Sequence, residues 1–148
     1  MNDCLGLEIE VEFAELYENQ PLFSDVNNYL IDRGFYFCDF IKLARWERVK
    51  LSHYGRCVWG EGLWLRNIES LDLNNIEETL KYTAICLLYG KIDEALYAIK
   101  KSGNNVPSDF TKLVVEEERH QQSVRSKFNM IQKIWLYLGN KKRIHLFD

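Results

Sequence analysis

The chain has 148 residues, of which 47% are hydrophobic and 28% are charged, and its formal net charge is −3. This length suits one domain, or one small domain with an appended helical unit. Nucleic-acid phosphates are bound by clustered excess Lys and Arg, so the negative charge argues against a nucleic-acid partner. The four cysteines have no C-x-x-C spacing, and no apolar run approaches the ~20 residues of a membrane span. We therefore predict a cytoplasmic protein with reduced thiols and no membrane segment.

The first predicted element is a strand, because residues 5–16 alternate between apolar and polar side chains. The apolar residues are Leu5, Leu7, Ile9, Val11 and Phe13. A period of two predicts a strand with one apolar face, and the Asn-Gln-Pro sequence at 19–21 ends it. A helix follows, for which Ser24 is the predicted N-cap and Gly34 the C-terminal stop.

Two further strands are predicted after this helix. Phe35–Leu43 is aromatic and β-prone, and Arg56–Asn67 is the third strand. Within it, Gly60 and Gly62 allow a bulge or a close backbone approach. The polar segment between the strands, Ala44–Gly55, is predicted as a loop or short helix. Its length is compatible with antiparallel neighbours.

The period becomes helical from Asp72 onwards, with Asn75 and Glu78 forming a capping pair. The predicted buried stripe of the next helix is Ile76, Leu80, Thr83, Ala84 and Leu87. Gly90 ends this helix, and a second one completes an αα-hairpin. The predicted buried residues of the second helix are Ile92, Ala95, Leu96 and Ile99.

Two further helices are predicted after the hairpin, from Ser108 to about Gln121 and from about Ser123 to Leu138. The change of period near residue 70 predicts two domains, an α/β unit over 1–70 and a helical extension over 71–148.

Two patterns carry a resemblance to a known family. Residues 10–26 fit EVEF-x-x-LY-x-x-QPLF-x-DV, and residues 59–66 fit W-G-x-x-L-x-L-R. Over about residues 4–67 the chain resembles the C-terminal portion of FkbM-type S-adenosylmethionine-dependent methyltransferases. The resemblance implies an α/β fold: the last three strands of a class I methyltransferase sheet. In that sheet the final strand is antiparallel and is inserted between the two before it, and an all-helical extension follows here.

The resemblance also implies an activity, namely methyl transfer from S-adenosylmethionine to a hydroxyl of a sugar- or polyketide-like acceptor. Family members hold the cofactor through a Gly-rich turn, and none precedes Cys4. Gly60-Glu61-Gly62 has such spacing, but it lies inside a predicted strand, and we interpret it as a bulge. We therefore expect the cofactor-binding half to be missing, and the chain alone to be inactive and to bind no cofactor.

The implied catalytic residue is Glu12, at the carboxyl end of the first strand, as proton acceptor for the substrate hydroxyl. The substrate-binding candidates are Glu10, Tyr17, Gln20 and Trp46. Each has a structural alternative. The glutamates suit a solvated strand face, Tyr17 and Gln20 suit turn chemistry, and Trp46 suits a loop anchor on the core. The three histidines have no ligand spacing, so no metal site is predicted.

The alternative to an enzyme is a non-catalytic interaction or oligomerisation domain. In the parent fold the first strand has a parallel neighbour, whose absence would leave backbone groups unpaired. Such an edge recruits another strand. The expected partner is a second copy in a homodimer, or a separate N-terminal half, besides a small-molecule acceptor.

Overall fold

The computed structural model describes residues 4–49, 55–103 and 106–122, which form a mixed α/β fold. The elements in chain order are β1 (Gly6–Glu12), α1 (Phe23–Ile31), β2 (Phe35–Trp46), β3 (Arg56–Arg66), a 3₁₀ helix (Ile68–Ser70), α2 (Ile76–Leu88), α3 (Ile92–Lys101) and α4 (108–122). The predicted succession of strand, helix, two strands and then helices is confirmed over these residues. The helix predicted over 123–138 lies outside the described residues.

The three strands form one sheet in the order β1-β3-β2. The last strand, β3, is antiparallel to both neighbours, so β1 and β2 run parallel to each other and end at the same edge of the sheet. The expected antiparallel pairing of the two later strands is confirmed. Breaks in the β2–β3 register leave Cys38 and Ile41 of β2 without an opposite residue on β3.

One face of the sheet packs against α1 through an aromatic cluster. Its members are Phe13, Phe23, Phe37, Phe40 and Trp64. The indole of Trp64 is fully buried, and its Nε1–H donates a 3.1 Å hydrogen bond to Asn27 Oδ1 on α1. The rings of Phe37 and Trp64 meet edge to face at 5.2 Å, a favoured aromatic geometry. Burial of these rings and one satisfied N–H together fix α1 on the sheet.

The opposite face packs against the α2–α3 hairpin. Leu63 and Leu65 of β3 belong to one buried cluster with Tyr82 of α2 and Ala95 of α3. The side chains of Leu63 and Leu65 therefore lie on this face while that of Trp64 lies on the other, as the strand period requires. The division into two domains near residue 70 stays a prediction.

Two boundary predictions are wrong. Ser24 is not the N-cap, because α1 begins at Phe23 and Leu22 holds the cap position. The capping acceptor is instead the carboxylate of Asp25, which accepts the Leu22 N–H at 2.9 Å. In addition, Trp46 does not lie in a loop, because pairing with Arg56 of β3 extends β2 to this residue.

The predicted buried stripe of α2 is right for Thr83, which is buried, and for Leu80 and Leu87, which pack against the core, but it is wrong for Ile76 and Ala84. Asn75 caps the helix as expected, accepting from the N–H groups of Glu77 and Glu78. The buried residues, however, are Thr79, Tyr82, Thr83 and Cys86, whereas Ile76 and Ala84 are exposed. Polar residues can occupy this face because their hydroxyls are satisfied locally. Thr83 Oγ1, for example, donates to the Thr79 carbonyl at 2.8 Å.

The two glycines of β3 serve packing. A Cβ at Gly62 would lie 2.6 Å from Trp64 Cζ3, and one at Gly60 would lie 2.7 Å from the Lys42 carbonyl oxygen. A close backbone approach is therefore confirmed at Gly60, whereas Gly62 makes room for a side chain; the extra residues of the two register breaks nearest to them, Cys38 and Ile41, lie in β2. The two glycines of the G-x-G thus have separate causes: the backbone of β2 at Gly60 and the indole of Trp64 at Gly62.

We expect Gly62→Ala to lower the free energy of unfolding by about 1–3 kcal/mol, because the new methyl group overlaps the indole. Chemical denaturation of Gly62→Ala, Trp64→Phe and the double variant measures this. The smaller Phe ring leaves room for the methyl group, so Gly62→Ala costs less in the Trp64→Phe background. Equal costs in both backgrounds would show that the ring is not the cause.

Candidate functional site

The carboxyl ends of β1 and β2 meet at one edge of the sheet, where the predicted site residues were expected. Glu10 and Glu12 lie on β1 opposite Glu61 and Trp59 of β3. By the strand period their side chains share the face of Glu8, whose carboxylate accepts a hydrogen bond from the Tyr89 hydroxyl. This edge therefore carries a row of glutamates on the hairpin side of the sheet.

Three residues of this face were missed by the sequence analysis. Lys42 Nζ lies 3.4 Å from Glu61 Oε1 and 4.8 Å from the centroid of the Trp59 ring. The ammonium thus pairs with a carboxylate and an aromatic face at once. Lys42 and Glu61 face each other in the β2–β3 register. Only the register brings them beside Glu10, so no local signal in the sequence could find them.

Tyr17 and Gln20 lie in the turn after β1. The Gln20 N–H donates to the Tyr17 carbonyl at 3.2 Å, and the Gln20 Oε1 accepts the Leu16 N–H at 3.1 Å. The Tyr17 side chain is 74% exposed. Gln20 therefore stabilises the turn, as the structural alternative held, and its amide nitrogen is the group that this geometry leaves for a ligand.

Trp46 lies at the same edge, at the end of β2, and is 49% exposed. The Arg56 guanidinium lies 5.2 Å from its ring centroid, a cation–π distance. Arg45 beside it donates to the Gly55 carbonyl at 2.9 Å. The ring is thus held by the β2–β3 pair, two strands away from Glu12. The described contacts do not join Trp46 to the other candidates.

The outer side of β1 is partly open. The carboxyl end is closed, because Glu12 forms a parallel bridge with Leu22. Among the described residues, β1 pairs with β3 alone and has no strand beside Gly6–Glu10 on its other side. Within the described structure, the side of β1 away from β3 is therefore open over this short stretch.

A second polar cluster lies between β2 and the hairpin, at the other end of the sheet. The hydroxyls of Tyr36 and Tyr82 are 3.1 Å apart. Either hydroxyl can be the donor of this hydrogen bond. Burial is the main cause that raises the pKa of both tyrosines, and it raises the pKa of Cys86 to about 12. These groups therefore stay protonated at neutral pH.

A cleft of about 460 Å³ opens next to this cluster, between β2, the 3₁₀ helix and α3. Its lining combines aromatic, acidic and apolar side chains: Tyr36, Ile68, Asp93, Glu94 and Tyr97. At its rim, Glu69 accepts from the Lys101 ammonium and from the Tyr97 hydroxyl. The cleft is remote from Glu12, because β2 begins at one edge of the sheet and β1 ends at the other.

The described ranges contain neither a candidate metal-ligand group nor a candidate membrane-spanning helix. Within residues 4–49, 55–103 and 106–122, no group of three or more His, Cys, Asp or Glu side chains could hold a metal ion. Over the same ranges, no helix combines the length and apolarity needed to cross a bilayer.

No protein-family model, curated protein or solved structure matches the chain.

The two tyrosines are expected to differ in how much stability is lost when each is replaced by Phe. Tyr36→Phe leaves the fully buried Tyr82 hydroxyl without its partner, so we expect it to cost about 1–3 kcal/mol of unfolding free energy. Tyr82→Phe costs less, because Tyr36 is only half-buried and its hydroxyl can bond water. Replacing both recovers much of the loss, since no hydroxyl is then stranded. Denaturation curves of the three variants test this, and additive losses would show that the two hydroxyls do not depend on each other.

The ion pair of Asp39 with Lys91 is expected to make the free energy of unfolding depend on pH. The hydrogen bond from the Lys91 ammonium lowers the pKa of Asp39. A lowered folded-state pKa stabilises the fold above the ordinary value of about 3.9, and this stability is lost as the pH falls through the lowered value. The Asp39 side chain is 53% exposed, so we expect Asp39→Asn to cost at most about 1 kcal/mol at pH 7.

The measurement is a double-mutant cycle of Asp39→Asn and Lys91→Met. We expect coupling between the two at pH 7 and its disappearance in acid below the lowered pKa of Asp39. Coupling that persists in acid would show that the contact is not ionic.

Proposed function

We propose that this chain is the acceptor-side, C-terminal part of an S-adenosylmethionine-dependent O-methyltransferase. Its substrate is a hydroxyl of a sugar- or polyketide-like acceptor, and its sequence resembles the FkbM type. The observation that carries the proposal is the strand order β1-β3-β2, with the last strand antiparallel and inserted between two parallel ones. The resemblance implies both the position of β3 between the other strands and its antiparallel direction. The two sequence patterns that carry the resemblance do not themselves require this arrangement, so it is a separate argument for the proposal.

The G-x-G of β3 is not a cofactor-binding turn in this proposal, because a Cβ at Gly62 would meet the Trp64 ring and one at Gly60 would meet the Lys42 carbonyl oxygen. A separate cofactor-binding unit beside β1 is therefore part of the proposal. It would supply the methyl donor, and this chain would supply the acceptor site.

Glu12 has the central role at that site. Its position at the carboxyl end of β1 is where open α/β sheets place ligands. The carboxylate accepts the proton of the acceptor hydroxyl as that oxygen becomes a nucleophile. Glu10, the amide of Gln20 and the exposed ring of Tyr17 bind the acceptor from the strand and from the turn that follows, and Trp46 bounds the site on the β2 side.

A second candidate function is a non-catalytic interaction domain that completes a partner's sheet. The observation in its favour is the open side of β1 over Gly6–Glu10. A strand edge that is not covered offers its N–H and C=O groups to an extended partner. This function needs no cofactor and no acceptor, so it can be tested independently of methyl transfer.

A chimera tests the enzyme proposal. The cofactor-binding half of an FkbM-type methyltransferase is fused in front of this full chain. We expect the fusion to bind S-adenosylhomocysteine in a calorimetric titration, and this chain alone to bind none. We also expect transfer of tritium-labelled methyl groups to a panel of methyl glycosides. Micromolar binding of S-adenosylhomocysteine by the chain alone would overturn the proposed division of roles.

Within the chimera, Glu12→Gln removes the proton acceptor and keeps the side-chain volume. We expect the methyl-transfer rate to fall about 100-fold or more, with S-adenosylhomocysteine binding unchanged. Glu18→Gln is the matched control, because it makes the same charge change at an exposed turn position. Equal rates for the two variants would remove Glu12 from the mechanism.

A further inference from the structure

The open side of β1 has a defined hydrogen-bonding pattern. The Leu5 carbonyl accepts from Arg66 N–H at 2.9 Å, and the Phe13 N–H donates to the Val58 carbonyl at 2.8 Å. These bonds aim the backbone groups of odd-numbered residues at β3. Because the pattern of an antiparallel ladder alternates, the N–H and C=O groups of Gly6, Glu8 and Glu10 point outward, where the Gly6 carbonyl also accepts from the Cys4 thiol at 3.3 Å.

The open stretch is short and has a definite end. Leu22 occupies the outward side of Glu12 through its parallel bridge. An incoming strand therefore pairs with Gly6–Glu10 and stops there. About five residues of extended chain span that stretch, since a strand rises about 3.3 Å per residue.

The two faces of this stretch differ in chemistry. On the hairpin side, Glu8 and Glu10 are exposed carboxylates, with Glu61 opposite Glu10 on β3. On the α1 side, Leu7 and Ile9 are half-buried and pack against the aromatic cluster. A strand added at this edge must therefore meet negative charge with one set of side chains and apolar surface with the alternate set.

This arrangement disfavours a second copy of β1 as the occupant. In an isologous antiparallel pair, the glutamates of one copy lie on the same face as those of the other and next to them. Like charges that face each other across a strand pair are destabilising. Glu61 adds a further negative charge on that face, and its partner Lys42 is already used.

We propose that the open edge of β1 binds an extended segment in which Lys or Arg alternates with β-branched or aromatic residues. The basic side chains lie over Glu8 and Glu10, the apolar ones extend the surface of Leu7 and Ile9, and the backbone pairs with Gly6, Glu8 and Glu10. This inference rests on the second candidate function, that of sheet completion. It names the chemistry of the partner, a basic amphipathic strand.

Fluorescence anisotropy tests the proposal with a labelled peptide containing Lys-Val-Lys-Ile-Lys. A peptide of the same composition in the order Lys-Lys-Lys-Val-Ile is the first control. We expect the alternating peptide to bind at least about tenfold more tightly, because two or three cross-strand pairs depend on the alternation. Equal affinity for the two peptides would overturn the proposal, because it would show binding by net charge alone.

Variants of the full chain locate the binding. We expect Glu8→Gln with Glu10→Gln to weaken binding about tenfold. The control pair Glu116→Gln with Glu117→Gln makes the same charge change at exposed positions of α4 and leaves the affinity unchanged. An equal loss in both pairs would overturn the proposed site.

A proline substitution distinguishes binding through the backbone from binding through the side chain. Glu10→Pro removes one outward N–H without removing a bond to β3, so we expect it to abolish peptide binding, whereas Glu10→Ala keeps the edge. Circular dichroism checks the fold, and the glutamine pair stays decisive if the proline variant unfolds. If the chain forms a dimer and Glu10→Pro abolishes it, the open edge binds a second copy of the chain, and the proposed basic partner is wrong. Peptide binding is read without cofactor, so its failure leaves the methyl-transfer result of the chimera unaffected.

Discussion

The buried indole of Trp64 is the contact on which the arrangement of the sheet depends. Burying a side chain of this size removes roughly 150–250 Å² from water, equivalent to about 4–6 kcal/mol of transfer free energy. Its ring requires the bare backbone of Gly62, and its N–H requires Asn27. One side chain of the central strand thus determines where α1 lies. Since α1 follows β1, it also restricts where the turn with Tyr17 and Gln20 can lie.

Local signals predicted much of the fold. The period of β1, the cap at Asn75 and the helix stop at Gly34, whose φ of 79° favours glycine, all depend on residues close in sequence. The burial of Tyr82 on α2 could not be predicted in this way, because its hydroxyl partner, Tyr36, lies in another element. The extension of β2 to Trp46 likewise depends on pairing with β3, which local composition does not reveal.

The candidate site shows the same division. Glu10 and Glu12 were predicted because strand alternation and the position of the strand end are local properties. Lys42 and Glu61 were not, because they reach this face only through the pairing of all three strands. Electrostatics at the site therefore depends on tertiary structure, even though the carboxylates themselves can be recognised in the sequence.

The irregular register of β2 has a consequence for growth of the sheet. Cys38 and Ile41 lack opposite residues, so β2 is bent and its backbone groups are not evenly spaced. Such a border is a poor template for a further strand, whereas the regular border on the β1 side is a good one. The irregular register of β2 thus disfavours growth of the sheet on that side, so that any added strand is favoured beside β1 alone.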